Sequence, residues 1–292
     1  MQVTILGCRG SYPVAHPSVL RYGGDTTCLQ VLEGNTLVIL DAGTGIRHLN
    51  AIPDYIKAVH LFITHLHWDH ILGFPQWAIL QTRPDLKLNL YSLARTHDKF
   101  YAALEKSISQ PLYSRRWDEV FGSWKYHELL PGDHVELPDM EVDCALANHP
   151  YRALAYRIGS ARRSVAFVPD TSPFDRYLFD DAIVFHETGL TTSDKATLKQ
   201  RWDALLGLVA ETDWLVYDAA QTDHEYEVLP HWGHSTPSQA VEIARLTSAK
   251  KLVLFHHGPN RTDDQVDALL AAEQARHPDM TILAAASGMK LE

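Results

Sequence analysis

Three imidazoles and one carboxylate fall within six residues in Thr64-His65-Leu66-His67-Trp68-Asp69-His70. Imidazole nitrogen and carboxylate oxygen are donors that borderline divalent metals accept together. A short, mostly apolar run, residues 59–63, leads into the motif and reads as a strand. On the loop that follows, His65 and His67 can converge on one ion while Asp69 and His70 turn toward a second. A polar loop with idle histidines is the plain alternative. Chance rarely gives HxHxDH at the mouth of a strand, and further His and Asp residues follow apolar runs along the chain. Each of those alone reads as a turn or cap residue.

The motif resembles the signature of the metallo-β-lactamase-fold hydrolases, and companion motifs occur in the order that family has, over nearly the whole chain. The resemblance implies an α+β fold, a four-layer αββα sandwich with a two-metal site at one edge of the sheets. Asp41, in Leu40-Asp41-Ala42-Gly43-Thr44-Gly45, then corresponds to an aspartate that sits behind the ligands and orients a histidine. His149, in Ala147-Asn148-His149-Pro150, joins His65 and His67 on the first metal. Asp69, His70 and His256 hold the second, and Asp170, in Phe167-Val168-Pro169-Asp170-Thr171, bridges the two. The family ligand directly follows an apolar strand, which favours His256 over its neighbour His257. Two divalent ions are implied, Zn²⁺ first, with Mn²⁺ or Fe²⁺ as alternatives.

A second resemblance narrows the group. The block GHSTPSQAVEIARLTSAKKLVLFHH is similar to that of ribonuclease Z and the related cyclic-nucleotide phosphodiesterases. In those enzymes a histidine matching His234 acts near the metals in phosphate-ester cleavage, and an acidic residue matching Asp218 pairs with it. The segments GCRGSYP (7–13) and GGDTTC (23–28) fit the same group. Thr236 and Pro237 also read as a helix cap and first-turn proline, which would fix the loop that presents His234. The implied catalytic set is His234, Asp218 and Asp69. Two cations would offset the anionic diester and activate water, and His234 would protonate the leaving oxygen. The expectation is a dinuclear phosphodiesterase acting on a small, cyclic or short-chain nucleotide ester. The alternatives are a ribonuclease Z-like RNA-processing nuclease, an acyl hydrolase (lactonase or thioesterase), and a non-enzymatic binding relative.

The 292 residues carry 26 Lys+Arg against 36 Asp+Glu, a net charge of −10, which argues against coating long nucleic acid through bulk charge. The resemblance to ribonuclease Z implies a basic, Gly-rich arm that grips tRNA, and no such insertion is evident. Residues 110–133 hold Arg115, Arg116 and Lys125 but also Asp118, Glu119 and Glu128. A small phosphodiester substrate, and no tRNA, is therefore expected. The aromatics of that segment, Tyr113, Trp117, Phe121, Trp124 and Tyr126, read as a packed lid; they and Trp232 could instead stack on a nucleobase. Cys8, Cys28 and Cys144 form no CxxC and no disulfide framework. With no signal-peptide pattern and no 18-residue apolar run, a cytoplasmic protein without membrane contact is expected, and a homodimer stays open.

The elements that must position these residues alternate in type. Strands are predicted over residues 3–6, 28–32, 36–40, 59–63, 141–146, 154–158, 164–168, 182–185, 214–217, 251–255 and 281–285. Residues 33–35 form a hairpin turn. Helices are predicted over 71–80 (interrupted by Pro75), 95–109, 194–210, 237–246 and 263–276, with 110–133 irregular. No linker or repeat divides the chain, so residues 1–292 read as one domain.

Overall fold

A computed structural model describes residues 1–77, 79–83, 85–94, 102, 124–174 and 191–292. Two seven-stranded sheets face each other. The first contains β1 (Gln2–Gly7), β2 (Cys28–Glu33), β3 (Thr36–Leu40), β4 (Ala58–Phe62), β5 (Lys87–Leu93), β6 (Trp124–Leu129) and the closing β14 (Lys290–Leu291), in the order β14-β1-β2-β3-β4-β5-β6. The second contains β7 (His134–Glu136), β8 (Glu141–Leu146), β9 (Leu154–Gly159), β10 (Ser164–Val168), β11 (Trp214–Asp218), β12 (Lys251–Phe255) and β13 (Thr281–Ala284), in the order β13-β12-β11-β10-β9-β8-β7. Each sheet is mixed. β3 to β6 run parallel, as do β10 to β13, while the remaining pairs are antiparallel.

The central strands are apolar on both faces, and strict alternation sorts their side chains. Val38 and Leu40 of β3 face the inter-sheet core, as do Val216 of β11 and Val253 and Phe255 of β12. Leu37 and Ile39 point outward beneath Ile46, Phe74 and Trp77. Leu215, Leu252 and Leu254 point outward beneath α3 (Thr192–Val209) and α5 (Pro237–Leu246), through Leu205, Ala240 and Val241. Two-sided burial explains why these runs are continuous and not alternating in sequence. Outer helices, two sheets and a shared core give the four-layer αββα sandwich.

Short helices α1 (Trp68–Ile71) and α2 (Ile79–Thr82) stand where helix-like spacing over residues 71–80, interrupted by Pro75, is predicted, with a 3₁₀ turn at Phe74–Gln76 between them. Pro75, inside that turn, lacks the N–H a continuous helix needs. β6 occupies part of the segment predicted as irregular; its aromatic residues suit a pleated, half-buried strand. The predicted helix 95–109 (except residue 102), strand 182–185 and residues 110–123 of the aromatic segment lie outside the described residues. α4 (Asp223–Val228) and α6 (Asp263–Arg276) complete the helices used below; both begin with a capping box, Thr222/Glu225 and Thr262/Gln265.

Candidate metal centre

Every candidate residue but His234, which lies on the loop before α5, stands past or at the carboxyl end of a strand, where open α/β sheets present their ligands. Asp41 follows β3, the HxHxDH loop follows β4, His149 follows β8, Asp170 follows β10, Asp218 ends β11 and His256 follows β12. Asp41 and His256 both take left-handed backbone, φ 58° and 61°. For non-glycine residues that conformation carries strain and is held by its surroundings.

The structure brings His65, His67, His149 and Asp170 together as one group and Asp69, His70 and His256 as a second, with donor atoms in each within 4.8 Å of one another. His149 Nε2 stands 3.2 Å from His67 Nδ1, and Asp170 Oδ2 lies 3.7 Å from His65 Nε2 and 3.8 Å from His149 Nε2. On the other side, Asp170 Oδ1 lies 3.0 Å from His70 Nε2 and 3.3 Å from His256 Nε2. Asp69 Oδ2 is 3.1 Å from His256 Nε2 and 3.5 Å from His70 Nε2. The two oxygens of Asp170 thus face one group each. Donors on a tetrahedral ion with bonds of about 2.0–2.1 Å stand about 3.3 Å apart, so these separations fit an ion in each group. The buried atoms His65 Nε2, His70 Nε2 and Asp170 Oδ1 have no hydrogen-bond partner among the described residues, as expected of groups whose partner is a cation.

The electrostatics agree for the first donor group, whereas in the second burial of His70 is outweighed by Asp170, Asp69 and Asp41, which hold it well above the ordinary histidine range. Burial, reinforced by the neighbouring imidazoles, holds His65 well below the ordinary histidine range, and burial pushes His149 down to about 3. A neutral ring keeps the lone pair a metal needs. Burial opposes ionisation of Asp170, but the surrounding His256, His70 and His65 hold it well below the usual carboxylate range, so it stays anionic.

The ligands are themselves held. Asp41 Oδ2 lies 2.7 Å from His70 Nδ1, which directs His70 Nε2 inward. Asp41 is fixed in turn by Thr64, whose backbone N–H and hydroxyl donate to its two oxygens at 2.7 and 2.8 Å. His149 Nδ1 donates to the Gly233 carbonyl at 2.9 Å. Gly233 has φ 83°, and a Cβ there would sit 2.6 Å from His149 Nδ1 and 2.4 Å from Pro150 Cδ, so only glycine lets this loop close on the histidine. The Ser11 N–H donates to Asp69 Oδ2 at 2.7 Å. The Ser11 and Gly233 contacts are not legible in the sequence because they are made by backbone, which carries no residue-type signal.

His256 and His257 separate cleanly. His256 faces the carboxylates, whereas His257 Nε2 donates to the Ala285 carbonyl at 2.8 Å and ties two loops together. His234 Nδ1 lies 2.9 Å from Asp218 Oδ2, and its ring stacks on His256 with centroids 4.8 Å apart. Asp218 is buried and also accepts the N–H groups of Thr171 and Ala220 at 2.9 and 3.0 Å. Burial would lower the His234 pKa, but the Asp218 carboxylate overrides it, with Asp170 and Asp69 adding, and raises it to about 9. His234 also falls in a third overlapping group with Asp170 and His256, its Nδ1 lying 3.9 Å from Asp170 Oδ2. The nearer Asp218 engages that same nitrogen.

With this geometry in place, comparison with known proteins fixes the class. Residues 36–257 match the family model described as the Beta-lactamase superfamily domain. The chain belongs to that superfamily and is a metal-dependent hydrolase of the metallo-β-lactamase fold. Ribonuclease Z of Brevibacillus brevis is 25% identical over 298 residues, 91% of this chain and 88% of the relative. Among solved structures, the metallo-β-lactamase fold protein YhfI of Bacillus subtilis aligns at TM-score 0.68 and 17% identity, covering 99% of this chain and 98% of its own. The short form of human tRNase Z aligns at TM-score 0.64 and 18% identity, covering 100% and 99%.

The ribonuclease Z relatives overturn one expectation, a small substrate with tRNA excluded. That expectation rested on net charge and on an arm sought in residues 110–133. Net charge governs long-range attraction, whereas a diester at the site meets local charge, including cations that a residue count omits. Among the described residues no helix is long and apolar enough to cross a membrane.

Proposed function

We propose that this chain is a dinuclear phosphodiesterase of the ribonuclease Z type that cleaves RNA near a 3′ end, with residues 1–292 acting as one domain. The single observation that carries the reading is the His234–Asp218 pair beside the two donor groups, in a chain whose relatives are ribonucleases along nearly their whole length. In this reading His65, His67 and His149 hold one divalent ion, Asp69, His70 and His256 the other, and Asp170 spans both. Zn²⁺ suits the donor set best, with Mn²⁺ and Fe²⁺ as substitutes. Bound there, two such ions would supply the positive charge that offsets a phosphodiester and activates the attacking water.

The rest is done by the chain. Asp218, fixed by two backbone N–H groups, orients the His234 ring so that Nδ1 faces the carboxylate. Nε2 is then free for the substrate, and a ring held protonated can pass a proton to the leaving alkoxide. An acyl hydrolase has less need of this pair, because its metal site already polarises a carbonyl. Asp69, locked by the Ser11 N–H, keeps one oxygen edge on the second group. Three buried free thiols, Cys8, Cys28 and Cys144, suit a cytoplasmic setting.

The test is turnover of a precursor tRNA bearing a 3′ trailer, bis(p-nitrophenyl) phosphate and a lactone panel, each with added Zn²⁺ or Mn²⁺ and with chelator. Metal-dependent cleavage of the RNA and the nitrophenyl diester is expected. Lactone turnover without diester cleavage would overturn the reading.

A further inference from the structure

The histidines of the donor groups are held in two different ways. Asp41 fixes His70 through Nδ1, and the Gly233 carbonyl fixes His149 through the same atom. His256 has no such anchor: its Nδ1 is buried and lacks a hydrogen-bond partner among the described residues. What stands against that nitrogen is Gly10. A Cβ on Gly10 would lie 2.5 Å from both Nδ1 and Cε1 of His256, so the backbone at Gly10 is a wall against the ring. The next residue, Ser11, takes left-handed backbone with φ 61° and gives its N–H to Asp69 Oδ2 at 2.7 Å. One short stretch of the β1–β2 connection thus backs two members of the second donor group, by contact at His256 and by a hydrogen bond at Asp69.

That stretch is fastened by Arg9, whose side chain is fully buried. Nε and Nη2 donate to the Gly23 carbonyl at 3.2 and 2.9 Å. Nη1 donates to the Gly258 and Arg261 carbonyls at 3.2 and 3.0 Å, on the loop between β12 and α6. Backbone bonds close the same junction: the Gly10 N–H donates to the His257 carbonyl at 2.9 Å and the His257 N–H to the Cys8 carbonyl at 3.0 Å. Burying a cation is costly unless its donors are met. A planar guanidinium fork can meet three carbonyls on two other segments at once, which a compact ammonium does less well. One side chain therefore locks the residues before Ser11 to the loop that follows His256.

We propose that Arg9 is a positioning residue for the second divalent ion, fixing the His256 ring through Gly10 and the Asp69 carboxylate through Ser11. The inference deepens the dinuclear reading and rests on it. The test loads the unaltered chain, Arg9→Lys, Arg9→Met and Gly10→Ala with Zn²⁺, withdraws the metal with a chromophoric chelator, and melts the same samples. Gly10 lacks a left-handed φ, so alanine there tests the contact with His256 alone. The unaltered chain should release two ions. In each variant one ion should weaken about 10–100-fold, the scale of lost support behind a ligand, while the other keeps its affinity. With His256→Ala added, the ion that remains should no longer respond to Arg9→Lys. A purely structural Arg9 would lower the melting temperature and leave both affinities of the folded chain unchanged; that result, or equal weakening of both ions, would overturn the proposal. Should the Arg9 variants not fold, hydrogen exchange of the unaltered chain decides. Zinc loading should slow exchange in residues 7–13 and 258–262 together, and unchanged exchange there would overturn the proposal. Release of a single ion by the unaltered chain would sink the dinuclear reading and the proposal with it, whereas two ions that no variant weakens would sink the proposal alone.

Discussion

The first sheet delivers its donors from one place: His65, His67, Asp69 and His70 occupy a single loop and the first turn of α1, after β4. The second sheet delivers His149, Asp170, Asp218 and His256 one at a time, from four separate strand ends, and His234 from the loop before α5. The first half is locally encoded and is stiffened from behind by Asp41 and Thr64. The second half is assembled only when β8, β10, β11 and β12 lie side by side. Asp170 is where the halves meet, with one oxygen toward each donor group. The contrast implies that damage to the first half should be graded, because neighbouring donors remain on the same loop. Damage at the junction should be severe.

The largest effect should follow from Asp170→Asn, which keeps the shape and removes the shared negative charge. Metal analysis should show less than two ions per chain, and diester turnover should fall to the detection limit. A variant that keeps two ions and near-native turnover would break the idea of a junction. Next comes His234→Ala, placed on the second half but outside the proposed ligand set. Both ions should remain, and turnover of an ester with a poor leaving group should slow by ~10²–10⁴-fold. Bis(p-nitrophenyl) phosphate, whose leaving group needs little protonation, should suffer less. Loss of an ion in this variant would show that His234 is a ligand. Smaller again is Asp41→Asn, which probes the support behind the first half. Asparagine tolerates the φ of 58°, so charge is tested without new backbone strain. Metal affinity should fall about 10–100-fold, read by competition with a chromophoric chelator; unchanged affinity would remove Asp41 from the supporting role.

The smallest expected effect concerns His60, on β4 upstream of the metal loop. Burial, with a contribution from His127, pushes its pKa down to about 4. Between about pH 6.5 and 4 the unfolded chain then binds a proton that the folded chain does not. Stability should therefore drop as pH falls through that window, and His60→Gln should flatten this part of the profile in denaturant melts. A slope unchanged by the substitution would assign the acid sensitivity to other groups.

The sequence by itself determined whatever is encoded within a few residues. HxHxDH is legible because its donors are contiguous, and the strands β3, β11 and β12 because two-sided burial makes their apolar runs continuous. The helix α5 is legible because Thr236 and Pro237 mark its start. Even the scattered residues Asp41, His149, Asp170, Asp218, His234 and His256 could be named, though only through an ordered resemblance. Tertiary structure decided the rest. It set His256 against Asp69 and His257 against the Ala285 carbonyl, the chain turning between them through the left-handed backbone of His256. It made Trp124–Leu129 a strand, because a sheet edge was available to pair with. It also supplied the Ser11 and Gly233 contacts. Those depend on backbone groups and on loops that meet only in the folded chain, and neither residue type nor spacing records such meetings.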